Sequence, residues 1–196
     1  MSTKARVPAI RVGVIGCGQA AAQLHLPALA RIPDVKVTAV ADVDAARLNA
    51  ACDRWSVEHG YKDYRVLIAD PCLDVLLISV PTRMHHDVFL ASVDSGKHIY
   101  IEKPLALTLE QSDRMLARAA QAPGRVAVGF NLRSHRLVRR AHELVQSGVL
   151  GPVVLLRTLW AGRTREYTDW HCRREEGGGV LYELGAHHFR SMEISA

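Results

Sequence analysis

The sequence has few of the features that mark membrane, secreted or disulfide-stabilised proteins. No stretch approaches the roughly 20 apolar residues that are needed to cross a bilayer, and the amino terminus lacks the apolar segment of a signal peptide. The four cysteines are far apart and form no C-x-x-C pair, which predicts reduced thiols. We therefore expect a cytoplasmic protein.

Charge of one sign is not concentrated in any part of the chain. The formal net charge is +5, from 25 basic and 20 acidic side chains. Aromatic residues make up only 6% of the chain and do not interleave with the densest basic cluster, so no surface for stacking bases is predicted. That cluster is predicted to form the solvated face of a helix and consists of Arg133, Arg136, Arg139 and Arg140. We expect neither a nucleic acid nor a membrane as a partner.

The chain does contain alternating strand and helix patterns, which are typical of a parallel α/β sheet. Its 196 residues are 48% apolar, which is enough for a sizeable core. A doubly wound Rossmann sheet of six strands is predicted to be complete near residue 130. The patterns place five of these strands, over residues 11–15, 35–41, 75–80, 98–101 and 125–130, and four helices, over 20–31, 45–58, 84–95 and 109–121.

The remaining residues predict a different arrangement. A helix over 137–146 is followed by a break at Gly151-Pro152 and a long strand over 153–160. After a polar, glycine-rich loop over 163–179, a helix is predicted from 180 to about 194. One strand and one helix cannot bury both faces of a sheet, so this second α/β unit is expected to be incomplete.

A glycine-rich turn lies between the first predicted strand and the first predicted helix. Gly16 permits the tight turn, Gly18 leaves room for a pyrophosphate, and Ala21 lets the helix and the strand pack closely. Gln19 and Ala20 lie where free backbone N–H groups and the positive end of the helix dipole attract phosphates. The pattern predicts a dinucleotide site; the alternative is a glycine turn that holds no nucleotide.

An acidic residue at the end of the second predicted strand indicates which dinucleotide is bound. Asp42 would accept hydrogen bonds from the adenosine ribose and repel a 2′-phosphate, which favours NAD over NADP. Arg47, one turn onward, leaves NADP open as the alternative.

Polar residues also follow the strand predicted over 75–80. Ligands of open α/β sheets bind beyond the carboxyl ends of the strands, so we expect Pro81 and Thr82 to line the cofactor groove and His85 to lie near it. The alternative is that Thr82 caps the following helix and His85 is an exposed residue of its first turn.

The tripeptide Glu102-Lys103-Pro104 follows the next strand and falls on the same edge of the sheet. The ammonium of Lys103 could donate a hydrogen bond to a substrate oxygen and stabilise its alkoxide character. The bond before Pro104 could be cis, which would direct the lysine unusually. The alternative is a surface Glu–Lys pair before a helix that begins with proline.

A second glycine-rich segment, residues 177–188, carries a carboxylate and an imidazole. Glu183 and His187 are four residues apart on one helix face, with Gly185 leaving room between them for another molecule. A carboxylate that contacts an imidazole raises its basicity, which suits removal of a hydroxyl proton. The alternative is a surface ion pair. No metal is predicted, because the spacing of His171, Cys172, His187 and His188 fits no zinc pattern.

Taken in order, these motifs resemble the glucose-fructose oxidoreductase and inositol dehydrogenase family (Gfo/Idh/MocA) over nearly the whole chain. The resemblance rests on residues 16–21, Asp42, 81–85, 102–104, 129–133 and 177–187. It implies a Rossmann domain over 1–130 and part of a substrate and oligomerisation domain over 131–196. It also implies NAD or NADP as cofactor and hydride transfer at a carbon of a sugar, cyclitol or related molecule. The family's E-K-P lysine falls on Lys103 and its histidine on His187, which with Glu183 form the implied catalytic set.

The chain departs from the family pattern in two ways. Glu183 stands where the family usually has aspartate, and Arg190 stands where the family often has an acid. Family members are also longer, and the part beyond residue 196 would supply most of the second sheet and the dimer contact. We expect a homo-oligomer for a full-length form, and for this chain a fragment, a truncated or frameshifted reading frame, or a remnant. The alternative function is a dinucleotide-binding module without catalysis.

Overall fold

A six-stranded sheet forms the centre of the computed structural model, which describes residues 8–159 and 169–188. Every strand pair is parallel, and the spatial order is β3-β2-β1-β4-β5-β6. The strands are β1 (Ile10–Ile15), β2 (Val35–Ala41), β3 (His59–Tyr61), β4 (Val75–Ile78), β5 (His98–Ile101) and β6 (Val126–Val128). The order reverses between β1 and β4, and ligands of such sheets bind beyond the carboxyl ends at this point.

Helices connect the strands and cover both faces of the sheet. A π-helical turn, Ala21–His25, runs into α1 (Leu26–Leu29); the others are α2 (Ala45–Trp55), α3 (Tyr64–Ala69), α4 (Thr82–Ser92), α5 (Leu109–Ala119) and α6 (Arg136–Gln146). Side chains cap four of the starts, because backbone N–H groups of the first turns of α2, α3, α5 and α6 donate hydrogen bonds to Asp44, Asp63, Thr108 and His135. Within the two described ranges, no helix is long and apolar enough to span a bilayer.

The core lies on both faces of β1 and β4. On one face Ile15, Leu76 and Ile78 pack in a cluster with α3 and α4. On the other face Val14 and Leu77 pack in a cluster with the first helix and α2. Successive side chains of a strand point to opposite faces, so a strand that is covered on both sides has a continuous apolar sequence. The predicted doubly wound parallel sheet is therefore confirmed.

The structure contains the strand β3 and the helix α3, which the sequence patterns did not predict. The strand β3 has three residues that are at most half-buried, and His59-Gly60 gives it no apolar run. The helix α2 ends at Trp55, three residues earlier than predicted, because Ser56 adopts a left-handed conformation (φ 52°). Smaller differences affect the predicted strand over 75–80, which ends at Ile78, and the helix after it, which already begins at Thr82.

The predicted strand over 153–160 is wrong where the structure describes it. Residues 153–159 form no regular secondary structure, and Val154 and Leu155 are 94% and 80% exposed. A strand is stabilised by hydrogen bonds to a neighbour, and none of the strands in the described ranges pairs with this segment. Trp160 and parts of the predicted loop (163–168) and of the last helix (189–194) fall outside the described residues. Residues 180–188 are helical, as expected.

Candidate active site

The turn after β1 has the geometry that a dinucleotide requires. Gly16 has φ +94°, and a Cβ added to it would lie 2.4 Å from the carbonyl oxygen of Ser79, so only glycine fits. Its N–H donates to the Ala41 carbonyl oxygen at 2.8 Å, which anchors the turn to β2. A Cβ added to Gly18 would have no atom within 4 Å. The open space is therefore at Gly18, where a pyrophosphate would approach the backbone.

The carboxylate of Asp42 holds this turn in place. Its Oδ2 accepts from the backbone N–H of Cys17 at 2.8 Å, and its Oδ1 accepts from the N–H of Asp44 at 2.8 Å. Each carboxylate oxygen can accept a second hydrogen bond, so the predicted ribose contact is still possible. Arg47 forms an ion pair with the exposed side chain of Asp44, with Nε of Arg47 3.4 Å from Oδ2 of Asp44. The structural role of Asp42 could not be read from the strand-end pattern.

Cys17 is buried inside the same turn. Burial, together with the charge of Asp42, raises the pKa of its thiol from 9.0 to about 12. Because the thiolate is the reactive form, its population at pH 8 is about a thousandfold below that of an ordinary thiol. We expect iodoacetamide at pH 8 to alkylate the exposed Cys72 and Cys172 of the native protein and to spare Cys17. Peptide mass spectrometry measures this, and alkylation of Cys17 at the rate of Cys72 would contradict it.

Residues after β4 lie at the same edge but deeper than predicted. Thr82 is the first residue of α4 and is only 2% exposed; Pro81 precedes the helix, and no side-chain cap is formed. His85 is 1% exposed, so the alternative of an exposed first-turn histidine is wrong. Its Nε2 lies 3.0 Å from the Val80 carbonyl oxygen and its Nδ1 lies 2.8 Å from that of Pro104. Both ring nitrogens therefore face the protein backbone.

Burial lowers the pKa of His85, although its backbone hydrogen bonds act in the opposite direction. A neutral imidazole has one N–H and can donate to only one of the two carbonyl groups. The tautomer with its proton on Nδ1 makes the shorter of the two contacts, and it connects α4 with the carbonyl oxygen of Pro104. His85 thus helps to hold the Glu102-Lys103-Pro104 loop in position through Pro104.

The Glu102-Lys103-Pro104 loop follows β5 directly, and the Lys103–Pro104 bond is cis, one of the two predicted isomers. The carboxylate of Glu102 accepts from two sides: Oε1 from Nε2 of His25 at 2.8 Å and Oε2 from the backbone N–H of Lys103 at 3.0 Å. Burial alone would raise the pKa of Glu102. The hydrogen bond and charge of His25, with those of Lys103, outweigh burial and lower it. The carboxylate is therefore ionised at neutral pH.

The segment over residues 169–188 packs against the carboxyl edge of the sheet. Arg83 and Glu176 form an ion pair at 3.2 Å, and the Tyr182 hydroxyl donates to the Leu107 carbonyl oxygen at 3.1 Å. A Cβ added to Gly177, which has φ +88°, would lie 2.7 Å from Cβ of Thr82. The glycine at this position therefore allows the segment to approach α4 closely.

His187 lies in this segment and is buried, with 8% of its surface exposed. Its ring meets that of Phe130 edge to face, with centroids 6.4 Å apart. Phe130 follows β6, and Lys103 follows the neighbouring strand β5. Adjacent strands are about 4.8 Å apart, so His187 contacts the residue that follows the strand next to the one that leads into Lys103. The side chain of Glu183, the predicted partner of His187, lies outside the described part of the structure.

Sequence reasoning missed His25, which ends the π-helical turn and contacts Glu102. A signal for it exists, because Ala21, His25 and Leu29 are four residues apart and therefore share one helix face. Ala21 is fully buried and Leu29 packs against the core, so a histidine between them faces the sheet.

Two of the histidines that were considered for a metal site have other neighbours. The ring of His171 stacks on Trp170 with centroids 3.7 Å apart, and Nδ1 of His188 lies 2.7 Å from the Thr158 hydroxyl. Among the side chains that the structure describes, no group of three or more His, Cys, Asp or Glu residues could hold a metal ion.

Comparison with protein families assigns both parts of the chain. Residues 10–130 match the GFO_IDH_MocA model, described as oxidoreductase family, NAD-binding Rossmann fold. Residues 138–194 match the model described as GFO/IDH/MocA C-terminal domain.

Individual relatives agree with this assignment. The myo-inositol 2-dehydrogenase of Thermotoga maritima is 32% identical over 180 residues, which are 92% of this chain and 53% of that protein. The structure of an oxidoreductase from Thermotoga maritima has a TM-score of 0.86 and 25% identity, covering 95% of this chain and 60% of that one. The scyllo-inositol dehydrogenase of Lactobacillus casei with bound NAD(H) and scyllo-inositol has a TM-score of 0.69 and 27% identity, covering 74% and 43%. This chain spans about half the length of the curated relatives that it matches.

Proposed function

The chain belongs to the Gfo/Idh/MocA oxidoreductase family and carries its NAD-binding Rossmann fold, and from this premise we propose that it is an NAD-dependent dehydrogenase of a polyol or sugar-like substrate. One observation carries the proposal. The glycine turn, Asp42, the Glu102-Lys103-Pro104 loop and His187 all lie at the carboxyl edge of one parallel sheet. That edge is where open α/β sheets bind dinucleotides and their substrates.

We propose that residues 1–130 bind the cofactor and that residues 131–196 contribute part of a substrate and oligomerisation domain. The open space at Gly18 and the remaining lone pairs of Asp42 fit a pyrophosphate and a ribose. The proposed cofactor-binding residues are Gly16, Gly18, Gln19, Ala20, Ala21, Asp42, Pro81, Thr82, His85, Glu102 and Lys103. Among them, the burial of His85 favours support of the lysine loop over direct contact.

The preference for NAD over NADP is proposed to depend on Asp42. We expect Asp42→Ala to weaken NADH binding about tenfold and to lower the free energy of unfolding by about 1–3 kcal/mol, because two backbone N–H groups lose their acceptor. Asp42→Asn keeps one acceptor oxygen but removes the charge, so we expect it to raise the affinity for NADPH relative to NADH. Titrations with both coenzymes measure this, and Asp70→Ala is the control, because it removes a carboxylate that accepts from the backbone N–H of Cys72 ahead of β4. An unchanged ratio in Asp42→Asn would exclude charge repulsion as the basis of the preference.

In the proposed chemistry, Lys103 and His187 contact the substrate, and Glu183 acts through His187. Bound nicotinamide supplies the hydride acceptor or donor. The ammonium of Lys103 donates a hydrogen bond to the reacting oxygen, which stabilises negative charge on it. The imidazole of His187 removes the hydroxyl proton during oxidation and returns it during reduction. Glu183 is proposed to orient His187 and to raise its basicity.

The substrate is proposed to be a cyclitol or related polyol. Support comes from the relatives, one of which is named myo-inositol 2-dehydrogenase and another of which holds scyllo-inositol in its structure. We further propose a cytoplasmic protein that binds neither nucleic acid nor membrane, and a homo-oligomer for a full-length form. The dispersed free thiols support the proposed compartment. The evenly spread charge supports the proposal that no nucleic acid is bound.

The second candidate is a dinucleotide-binding module without catalysis. It is favoured by one fact, the coverage of about half of each curated relative, because residues outside this chain would complete the substrate pocket. Two measurements separate the candidates. Fluorescence titration with NADH tests cofactor binding, and NADH formation from NAD with a panel of polyols and sugars tests turnover. Binding with no turnover on any substrate would select the module.

A further inference from the structure

His25 and Glu102 connect the helix that follows the glycine turn with the loop that carries Lys103. His25 lies at the end of the π-helical turn Ala21–His25, and Glu102 lies directly after β5. Their 2.8 Å contact spans 77 positions of the sequence, and only 14% and 17% of the two side chains are exposed. π-Helical turns occur frequently at functional sites.

The contact has a defined direction. Glu102 is ionised and can only accept, so Nε2 of His25 donates to Oε1. The second oxygen, Oε2, accepts from the backbone N–H of Lys103. One carboxylate therefore joins the first helix to the main chain of Lys103. Hydrogen bonds with a charged partner are shorter and stronger than neutral ones.

Tyr100 contacts the His25–Glu102 pair, and Gly129 leaves space for it. The ring of His25 meets that of Tyr100 edge to face, with centroids 5.7 Å apart. A Cβ added to Gly129, next to the end of β6, would lie 2.8 Å from the Tyr100 hydroxyl and 3.3 Å from Cδ of Glu102. Gly129 therefore leaves the space that Tyr100 and Glu102 occupy.

We propose that His25 is a positioning residue: through Glu102 it holds the backbone of the Glu102-Lys103-Pro104 loop against the nicotinamide end of the cofactor groove. The inference rests on the proposed function. The first helix begins at the pyrophosphate position, so the pair ties the place where the cofactor is anchored to the place where its reactive end would lie. Loss of the pair moves the loop but leaves the adenosine end of the groove unchanged.

The test compares NADH with ADP-ribose, which lacks the nicotinamide. His25→Phe keeps the ring volume and the edge contact with Tyr100 but removes the donor. His25→Gln places an amide N–H near the position of Nε2 and restores a donor. His142→Ala, on the exposed face of α6, is the matched control. Dissociation constants for both ligands and a thermal melt are measured for each variant of the 196-residue chain.

We expect His25→Phe to weaken NADH binding by roughly tenfold, the effect of losing about one charge-assisted hydrogen bond. Binding of ADP-ribose changes less than about twofold, and His25→Gln and His142→Ala stay close to the unsubstituted chain for both ligands. Equal weakening of both ligands, or unchanged NADH binding in His25→Phe, would overturn the positioning role. If His25→Phe does not fold, Glu102→Gln is measured instead, with the same expectation. Binding of neither ligand by the unsubstituted chain would refute the proposed function itself, a result distinct from either of these.

Discussion

Replacing Lys103 by methionine is expected to lower kcat about 10²–10³-fold, the effect of removing one group that stabilises charge at the reacting oxygen. Methionine keeps most of the length and the apolar stem of the side chain but has no ammonium. The carboxylate of Glu102 accepts from the backbone N–H of residue 103, which the substitution retains. We therefore expect NADH affinity to change less than about twofold. The measurements are NADH titration and initial rates on the polyol that the unsubstituted chain turns over best.

Lys36→Met is the matched control, because Lys36 is an exposed lysine at the amino end of β2, away from the carboxyl edge. It removes the same charge from the chain at a distance from β5 and is expected to leave kcat and NADH affinity unchanged. Turnover by Lys103→Met at the rate of the unsubstituted chain would exclude the proposed role of the ammonium. Turnover by neither protein, with NADH binding retained, would instead favour the non-catalytic module.

The sheet could be predicted where the apolar pattern is strong. The strands β1, β2, β4 and β5 are covered on both faces or lie next to such strands, so their sequences are nearly continuous apolar runs. The edge strand β3 has no such run and was missed. Family membership was predicted from the order of the motifs and is confirmed by matches to both family models.

Contacts between distant parts of the chain could not be predicted from motifs. The pattern indicated that Asp42 ends a strand, but not that it accepts from Cys17 in the preceding turn. Likewise, the Glu102-Lys103-Pro104 motif gave no sign of His25 or of the support that His85 gives to Pro104. Each of these hydrogen bonds joins residues that come together only when parallel strands align their carboxyl ends.

In the segment over 153–159, a strong strand pattern predicted a strand that the structure does not contain. Its sequence is strongly apolar and was predicted to be a strand, yet residues such as Val154 and Leu159 are exposed and form no ladder. Strand propensity reflects packing against neighbours more than an intrinsic backbone preference. The pattern therefore describes a residue set that is suited to a sheet, while the partner that would order it is not among the described strands.

The two glycines of the first turn are expected to respond differently to the same added methyl group. Gly16→Ala places a Cβ 2.4 Å from the Ser79 carbonyl oxygen at a φ of +94°. The left-handed conformation costs about 1–2 kcal/mol, and the overlap adds about 1–3 kcal/mol. We expect the free energy of unfolding to fall by about 2–5 kcal/mol, measured by urea denaturation, with loss of NADH binding because the turn itself is displaced.

Gly18→Ala is the matched comparison, because its added Cβ meets no protein atom within 4 Å. We expect its free energy of unfolding to stay within about 0.5 kcal/mol of the unsubstituted chain, as for an ordinary surface change. Its NADH affinity should nevertheless fall about tenfold or more, since the methyl group occupies the approach of the pyrophosphate to the backbone. A stable Gly18→Ala protein with undiminished NADH affinity would mean that the open space beside Gly18 is not the phosphate site. The groove would then have to bind its ligand elsewhere along the carboxyl edge.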